Sequence, residues 1–235
     1  MSIGVFIAAA LATTGHQEVG DFAGNGPIPA PWRLIRLNKN VPPTSYRQAT
    51  IDGVGAIEAN ANSSMALLAR PIAIDLAETP ILCWRWRVDA PVAAADMSTK
   101  KGDDYAARLY VAFDISDSAL GSGTRLKLSL ARRLFGKDLP DAALNYVWDN
   151  RNPVGTERRS AYTDRAQLIV EETGGARAGR WVSERADIAA DYARAFPGQP
   201  GQAIQLAIAS DTDNTHSRAR AAFADIHFVA RKYRC

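Results

Sequence analysis

The stretch Cys83-Trp84-Arg85-Trp86-Arg87-Val88 decides how this chain folds. Side chains alternate across an extended strand, so Trp84, Trp86 and Val88 share one face while Cys83, Arg85 and Arg87 share the other. The first face suits the space between two sheets, and the second suits water or a polar partner. Comparable short segments, bounded by Pro, Gly, Asp or Asn, run on either side at 32–37, 56–59, 64–69, 108–113, 144–148, 167–171, 204–209 and 222–229. Their length and spacing predict an all-β fold, an antiparallel jelly-roll-like β-sandwich. In it Leu109, Val111, Leu206 and Ile208 join the tryptophans inside.

Two stretches break the alternation. Residues 124–136 carry Leu126, Leu130 and Leu134 and end in Gly136, which predicts a short amphipathic helix, although Leu126, Leu128 and Leu130 also alternate like a strand. Residues 187–196 predict one or two helical turns, stopped by Pro197-Gly198. Both read as helices inserted in connections between strands.

Of the 235 residues 47% are hydrophobic and 23% charged, which excludes disordered, fibrous and multi-span membrane classes. A net charge of +3, with basic residues scattered except at Arg231, Lys232 and Arg234, leaves no footprint for nucleic acid. Residues 1–12, MSIGVFIAAALA, are apolar, too short to span a bilayer, and end in a small-x-small pattern, so they read as a signal peptide. No Lys or Arg precedes that run. The expected organisation is this signal peptide, a Gly- and Pro-rich leader at 13–31, one sandwich domain at 32–230 and a basic tail at 231–235, exported to the periplasm or cell envelope without a transmembrane segment. Cys83 and Cys235 are the only cysteines. A bridge between them is conceivable, but a buried thiol and a frayed terminal one is the simpler expectation.

Candidate ligand-binding residues follow from the polar faces. Arg85 lies on one strand, Arg108 and Tyr110 on another, and Gln205 on a third whose Ala207 and Ala209 leave a flat floor. If these strands share a sheet, they form a shallow polar groove. Lys101, Asp103 and Asp104 enter the Arg108 strand, either as ordinary turn chemistry or as a rim that closes over a ligand. Tyr146 and Trp148 share a face suited to a core or to stacking on a sugar. Asp211, Asp213 and Asn214 gather hard oxygens in one loop, with Asp225 on the next strand. These four read either as an Asx-type turn or as ligands of a structural calcium. No G-x-S-x-G, P-loop, G-x-G-x-x-G or H-E-x-x-H signature is present.

Trp84-x-Trp86, Lys101-x-Asp103-Asp104-x-x-x-Arg108, Tyr146-x-Trp148, Trp181, Asp191, Asp211-Thr212-Asp213-Asn214-Thr215 and Ala224-Asp225-Ile226-x-Phe228 together resemble the bacterial domain-of-unknown-function family DUF3047. The resemblance covers nearly all of the chain after the leader and implies a fold and an exported context, not an activity. The stretch 116–141 looks longer than that family's usual connection. Phe223-Ala224-Asp225-Ile226-x-Phe228 is also similar to the last strand of jelly-roll carbohydrate-binding modules, where an acidic residue can join a calcium site. The leading expectation is a non-catalytic binding domain for a glycan or other polar ligand. Alternatives are a jelly-roll lyase using Arg108, Gln205, Tyr110 or Tyr146 and His227 on an acidic polysaccharide, and a structural or interaction role in the envelope.

Overall fold

The computed structural model describes residues 15–135 and 139–235, so the signal peptide expected at 1–12 lies outside the described residues. Cys83 to Val88 fall on β6 (Ile81–Val88), with Trp84, Trp86 and Val88 inward and buried. β8 (Ala142–Asp149) packs against it from the other layer. The Trp84 ring lies 5.5 Å from that of Tyr146, and the Trp86 ring 5.9 Å from that of Trp148. Two aromatic pairs therefore hold the layers together, each ring burying a large apolar area.

The first sheet runs β3 (Ser45–Ile51), β4 (Val54–Asn62), β13 (Arg218–Val229), β6 and β11 (Val182–Asp187), with β1 (His16–Gly20) against the far half of β13. The second runs β2 (Arg33–Ile35), β5 (Leu67–Pro71), β12 (Gly201–Ala209), β7 (Arg108–Ile115), β8, β10 (Ala166–Thr173) and β9 (Glu157–Arg159). The chain rolls up in antiparallel pairs, β4 with β13, β5 with β12, β6 with β11 and β7 with β8, while crossing repeatedly between the layers. That pairing is the jelly-roll scheme. β10 departs from the expected antiparallel pattern by running parallel to β8.

Both helices lie in connections. α1 (Ser122–Phe135) sits between β7 and β8. α2 (Ile188–Ala195) is capped by Asp187, whose carboxylate accepts the Ala190 N–H at 3.0 Å. Among the described residues no helix is long and apolar enough to cross a membrane. The leader is partly structural: β1 pairs with β13 and so belongs to the first sheet, because Val19 supplies an inward apolar side chain that the Gly- and Pro-rich surroundings concealed.

Cys83 and Cys235 form a disulfide, against the expectation of two free thiols. The basic tail crosses the end of the first sheet, which brings the two Cα atoms to 5.5 Å. The bridge closes 152 residues of sequence and so restricts the unfolded chain substantially. Cys235→Ser should cost roughly 2 kcal/mol, read as a lower chemical-denaturation midpoint that reduced wild type also shows. Equal midpoints for oxidised and reduced protein would count against the bridge.

Candidate functional site

The outer face of the second sheet is built from alternate residues whose neighbours point into the core. Cross-strand register sets Ala69, Ala207, Tyr110, Asn145, Leu168 and Arg158 in one row. The adjacent row holds Gln205, Ala112, Ala143 and Ala166. Ala69 and Ala207 are buried with Ile35 and Leu67 against Leu37, Met65 and Tyr110, so the part of this alanine floor nearest the surface is Ala143 and Ala166. Tyr110 and Gln205 are half-buried above it. Asn145 is only 3% exposed, and its Oδ1 has no hydrogen-bond partner. A buried amide oxygen without a partner costs about 1 to 3 kcal/mol, and among the described residues Tyr105, Asp149 and Asn150 also carry a buried polar atom in that state.

Arg108 stands at one end of this face but does not line an open groove. It is 4% exposed, with Nη2 donating to the main-chain oxygen of Asp103 at 2.6 Å and to its Oδ1 at 2.9 Å. Its Nε lies 3.0 Å from Asp211 Oδ1, Nη1 donates to the Tyr110 hydroxyl at 2.9 Å, and the guanidinium covers the Tyr105 ring at 4.3 Å. Burial alone would push the guanidinium down, but Asp103 and Asp211 outweigh it and hold Arg108 firmly charged. Asp211 is pushed upward by burial, against the pull of Arg108, and the nearby Asp104 and Asp103 add to the rise. Arg108 is buried and neutralised by Asp103 and Asp211, so the expected pairing of Arg108 with a ligand's acidic group gives way to pairing within the protein. Its role is to pin the loop before β7 to the loop after β12.

Asp104, Asp211 and Asp213 bring carboxylate oxygens within 4.8 Å of one another. Asp104 already accepts from the Asn214 side chain at 3.1 Å and from both the N–H and the hydroxyl of Thr215 at 2.6 Å. Three carboxylates supply only part of the six to eight oxygens calcium takes, the rest falling to main-chain carbonyls or water. Asn214 faces this group as a donor. Asp225 does not join it, contrary to the calcium expectation. It sits on a bulge of β13 in the first sheet with φ of +52°, which turns its carboxylate to Arg85 at 3.0 Å.

Arg85 is likewise separated from Arg108, Tyr110 and Gln205, because β6 belongs to the first sheet and β7 and β12 to the second. On its own sheet Arg85 packs 5.3 Å over Trp181 beside a cleft of about 500 Å³ that His16, Glu18, Asp225 and His227 also line, while elsewhere on that face Arg87 pairs with Asp89 at 3.1 Å and Arg220 with Glu58 at 2.7 Å. Tyr146 is buried in the core, its hydroxyl donating to Asp191 at 2.7 Å, so the stacking role is replaced by a packing one. His227 is on the first sheet, stacked on His16 at 4.8 Å. Of the residues proposed for a lyase, Arg108 and Tyr110 touch and Gln205 lies in the adjacent row, but His227 is on the other sheet and Tyr146 is in the core, so the full set is not assembled.

Lys101 is exposed in the 3-10 turn Lys100–Gly102. That turn needs Gly102, where a Cβ would meet the Asp96 backbone nitrogen at 2.6 Å. Asp103 and Asp104 are buried and bonded to Arg108, Asn214 and Thr215, which makes them part of a locked loop cluster beside the face. Tyr162 completes it by donating to Asn214 Oδ1 at 2.7 Å while Lys100 covers its ring at 5.3 Å.

Two features carry no sequence signal. Asn145 lies in a segment whose aromatic neighbours draw the eye, and its importance depends on having no partner. Glu171 on β10 feels the negative charges of Glu184 on β11 and Asp191 on α2. Burial, with Glu184 and Asp191 adding negative charge, raises Glu171 to about 8. Burial likewise raises Glu184 to about 7, although the Trp86 N–H donates to it at 3.1 Å.

A family model described as "Protein of unknown function (DUF3047)" matches residues 30–227. No curated protein matches the chain in sequence. Among solved structures the chain is similar to a family 11 carbohydrate-binding module from Clostridium thermocellum, at 8% identity and a TM-score of 0.42, covering 93% of this chain and 98% of that one. A family 30 module from the same organism gives 8% identity and a TM-score of 0.41, covering 93% and 99%. The Trichoderma harzianum endoglucanase 3 of family GH12 gives 8% and 0.42, covering 93% and 97%. Likenesses this remote say nothing of a ligand.

Proposed function

The chain belongs to the DUF3047 family, and from that footing we propose that it is a binding domain whose second-sheet outer face takes a glycan or a comparable polyhydroxylated ligand. The observation that carries this reading is the buried, unpartnered Oδ1 of Asn145 beside Tyr110 on the alanine floor. A sugar hydroxyl donating to Asn145 would supply the missing bond. Gln205 offers both a donor and an acceptor from the next row, and Tyr110 an aromatic edge. The small floor lets a flat ring approach the sheet closely. The binding is non-catalytic on this reading, since no acid and base converge on the face.

We place the protein in an oxidising compartment, such as the periplasm or cell envelope, because a disulfide closing 152 residues persists there and is rare in a reducing cytosol. Calorimetric titration against a panel of soluble polysaccharides tests the binding role. Wild type should bind at least one, Gln205→Ala should weaken that binding about fivefold (~1 kcal/mol, one hydrogen bond), and Arg85→Ala on the opposite sheet should leave it unchanged. Loss of binding with Arg85→Ala but not Gln205→Ala would move the site to the other face.

A further inference from the structure

The cleft of about 500 Å³ on the outer face of the first sheet opens where β1 lies against β13, and His16, Glu18, Asp21 and His227 all line it. Register sets Glu18 directly opposite His227, with Cys83 on the other side of His227 in the same row. His16 precedes Glu18 by two positions, so both leave β1 on the same face. The His16 and His227 rings stack at 4.8 Å, and His16 Nε2 stands 3.4 Å from Glu18 Oε2. Two imidazoles and a carboxylate thus enter one cleft from two adjacent strands. His227 Nδ1 lies 2.8 Å from the main-chain oxygen of Asp225, which can only accept. In the neutral ring Nδ1 therefore carries the proton and Nε2 keeps a free lone pair. A backbone carbonyl on one ring nitrogen is the support that metal-bound histidines have, because it fixes both the tautomer and the direction of the ring.

We propose that His16, Glu18 and His227 bind one divalent cation of the zinc class, with water completing its shell, and that the cation fastens β1 to β13. The 3.4 Å between His16 Nε2 and Glu18 Oε2 is close to the roughly 3.3 Å that two ligands span across a tetrahedral zinc with bonds of about 2.0 Å. Cys83 and Cys235 are bridged, so the donors are nitrogen and oxygen, which suit zinc better than a soft ion. Among the described residues only Asp104, Asp211 and Asp213 bring three such groups within 4.8 Å before any side chain moves. Here the turn that brings the third ligand in falls to His16 and Glu18, whose side chains are 55% and 47% exposed and border open space. The site is on the opposite sheet from the glycan face and does not rest on that reading.

The test titrates tag-free, chelator-treated protein with zinc by calorimetry and follows the thermal melt. Wild type should take up one equivalent with a Kd of about 10 μM or tighter. Zinc at about a hundredfold excess over that Kd should raise the midpoint by roughly 5 °C or more. His16→Ala and His227→Ala should each weaken zinc by about tenfold or more. Asp213→Asn, in the acidic loop of the other sheet, should leave zinc binding unchanged. A wild-type Kd weaker than about 10 μM, or an affinity that survives both histidine variants, overturns the inference. Loss in Asp213→Asn with the histidine variants unaffected also overturns it and moves the ion to the acidic loop. Cobalt(II) added to wild type gives a readout that needs no variant to fold. Its paramagnetic shifts should fall on the ring protons of His16 and His227, and shifts confined to the neighbourhood of Asp211 would overturn the site.

Discussion

Arg108→Ala should lower the folding stability by about 3 to 5 kcal/mol, the cost of leaving buried charge without its partner. Asp103 and Asp211 would face each other across a cavity, with Asp104 close to Asp211 and no guanidinium among them. The Tyr110 hydroxyl would lose its donor as well. In a chain of this size each kcal/mol moves the midpoint by roughly 2 to 4 °C, so a fall on the order of 10 °C is expected in a thermal melt. Arg108→Lys should recover only part of it, since an ammonium cannot serve Asp103, Asp211 and Tyr110 in one plane. Adding Asp211→Asn to Arg108→Ala should recover some stability by removing one uncompensated charge. An Arg108→Ala melt within a degree or two of wild type would show that the cluster is not the clamp described here.

Stability should also fall as pH rises through the range in which Glu171 ionises. Its carboxyl is raised from 4.5 to about 8 in the folded protein by burial and by Glu184 and Asp191. A raised carboxyl binds its proton more tightly folded than unfolded, so its contribution is fully present below pH 4.5 and is lost progressively up to about pH 8. Glu184, raised to about 7, works in the same direction. Between pH 5 and pH 9 the loss should be on the order of 3 kcal/mol, measured by denaturation at fixed salt. Glu171→Gln should flatten that dependence and leave the variant more stable than wild type at pH 9. A wild-type stability that stays level or rises from pH 5 to pH 9 would mean that Glu171 is ionised without penalty.

Much of the sandwich is legible in the sequence because alternation is a strong signal where one face is apolar. Cys83 to Val88, Arg108 to Phe113 and the close of β12 are read with the correct face inward. β3, β9 and β11 escape that reading. Tyr46, Gln48 and Thr50 hardly alternate in polarity with their neighbours, and the three residues of β9 are all charged. Sheet membership is illegible for a different reason. Nothing local to Arg85 or Arg108 says that the chain crosses between layers from β6 to β7, so a groove built on both fails although each face is assigned correctly. The partner of Arg108 was equally hidden, since Asp211 is 103 positions away and reaches it only through the pairing of β7 with β12. Asn145 is the extreme case, because what marks it is an absent bond.

The most direct measurement pairs ligand affinity with unliganded stability for Asn145→Ala. An acceptor left unpaired in the free protein and satisfied by a ligand should cost binding when removed and cost nothing, or return about 1 kcal/mol, in the melt. The expected result is therefore an affinity for the bound glycan at least tenfold weaker together with a midpoint equal to or above that of wild type. Unchanged affinity, or a variant that loses stability as well as binding, would contradict the assignment of this face as the binding site.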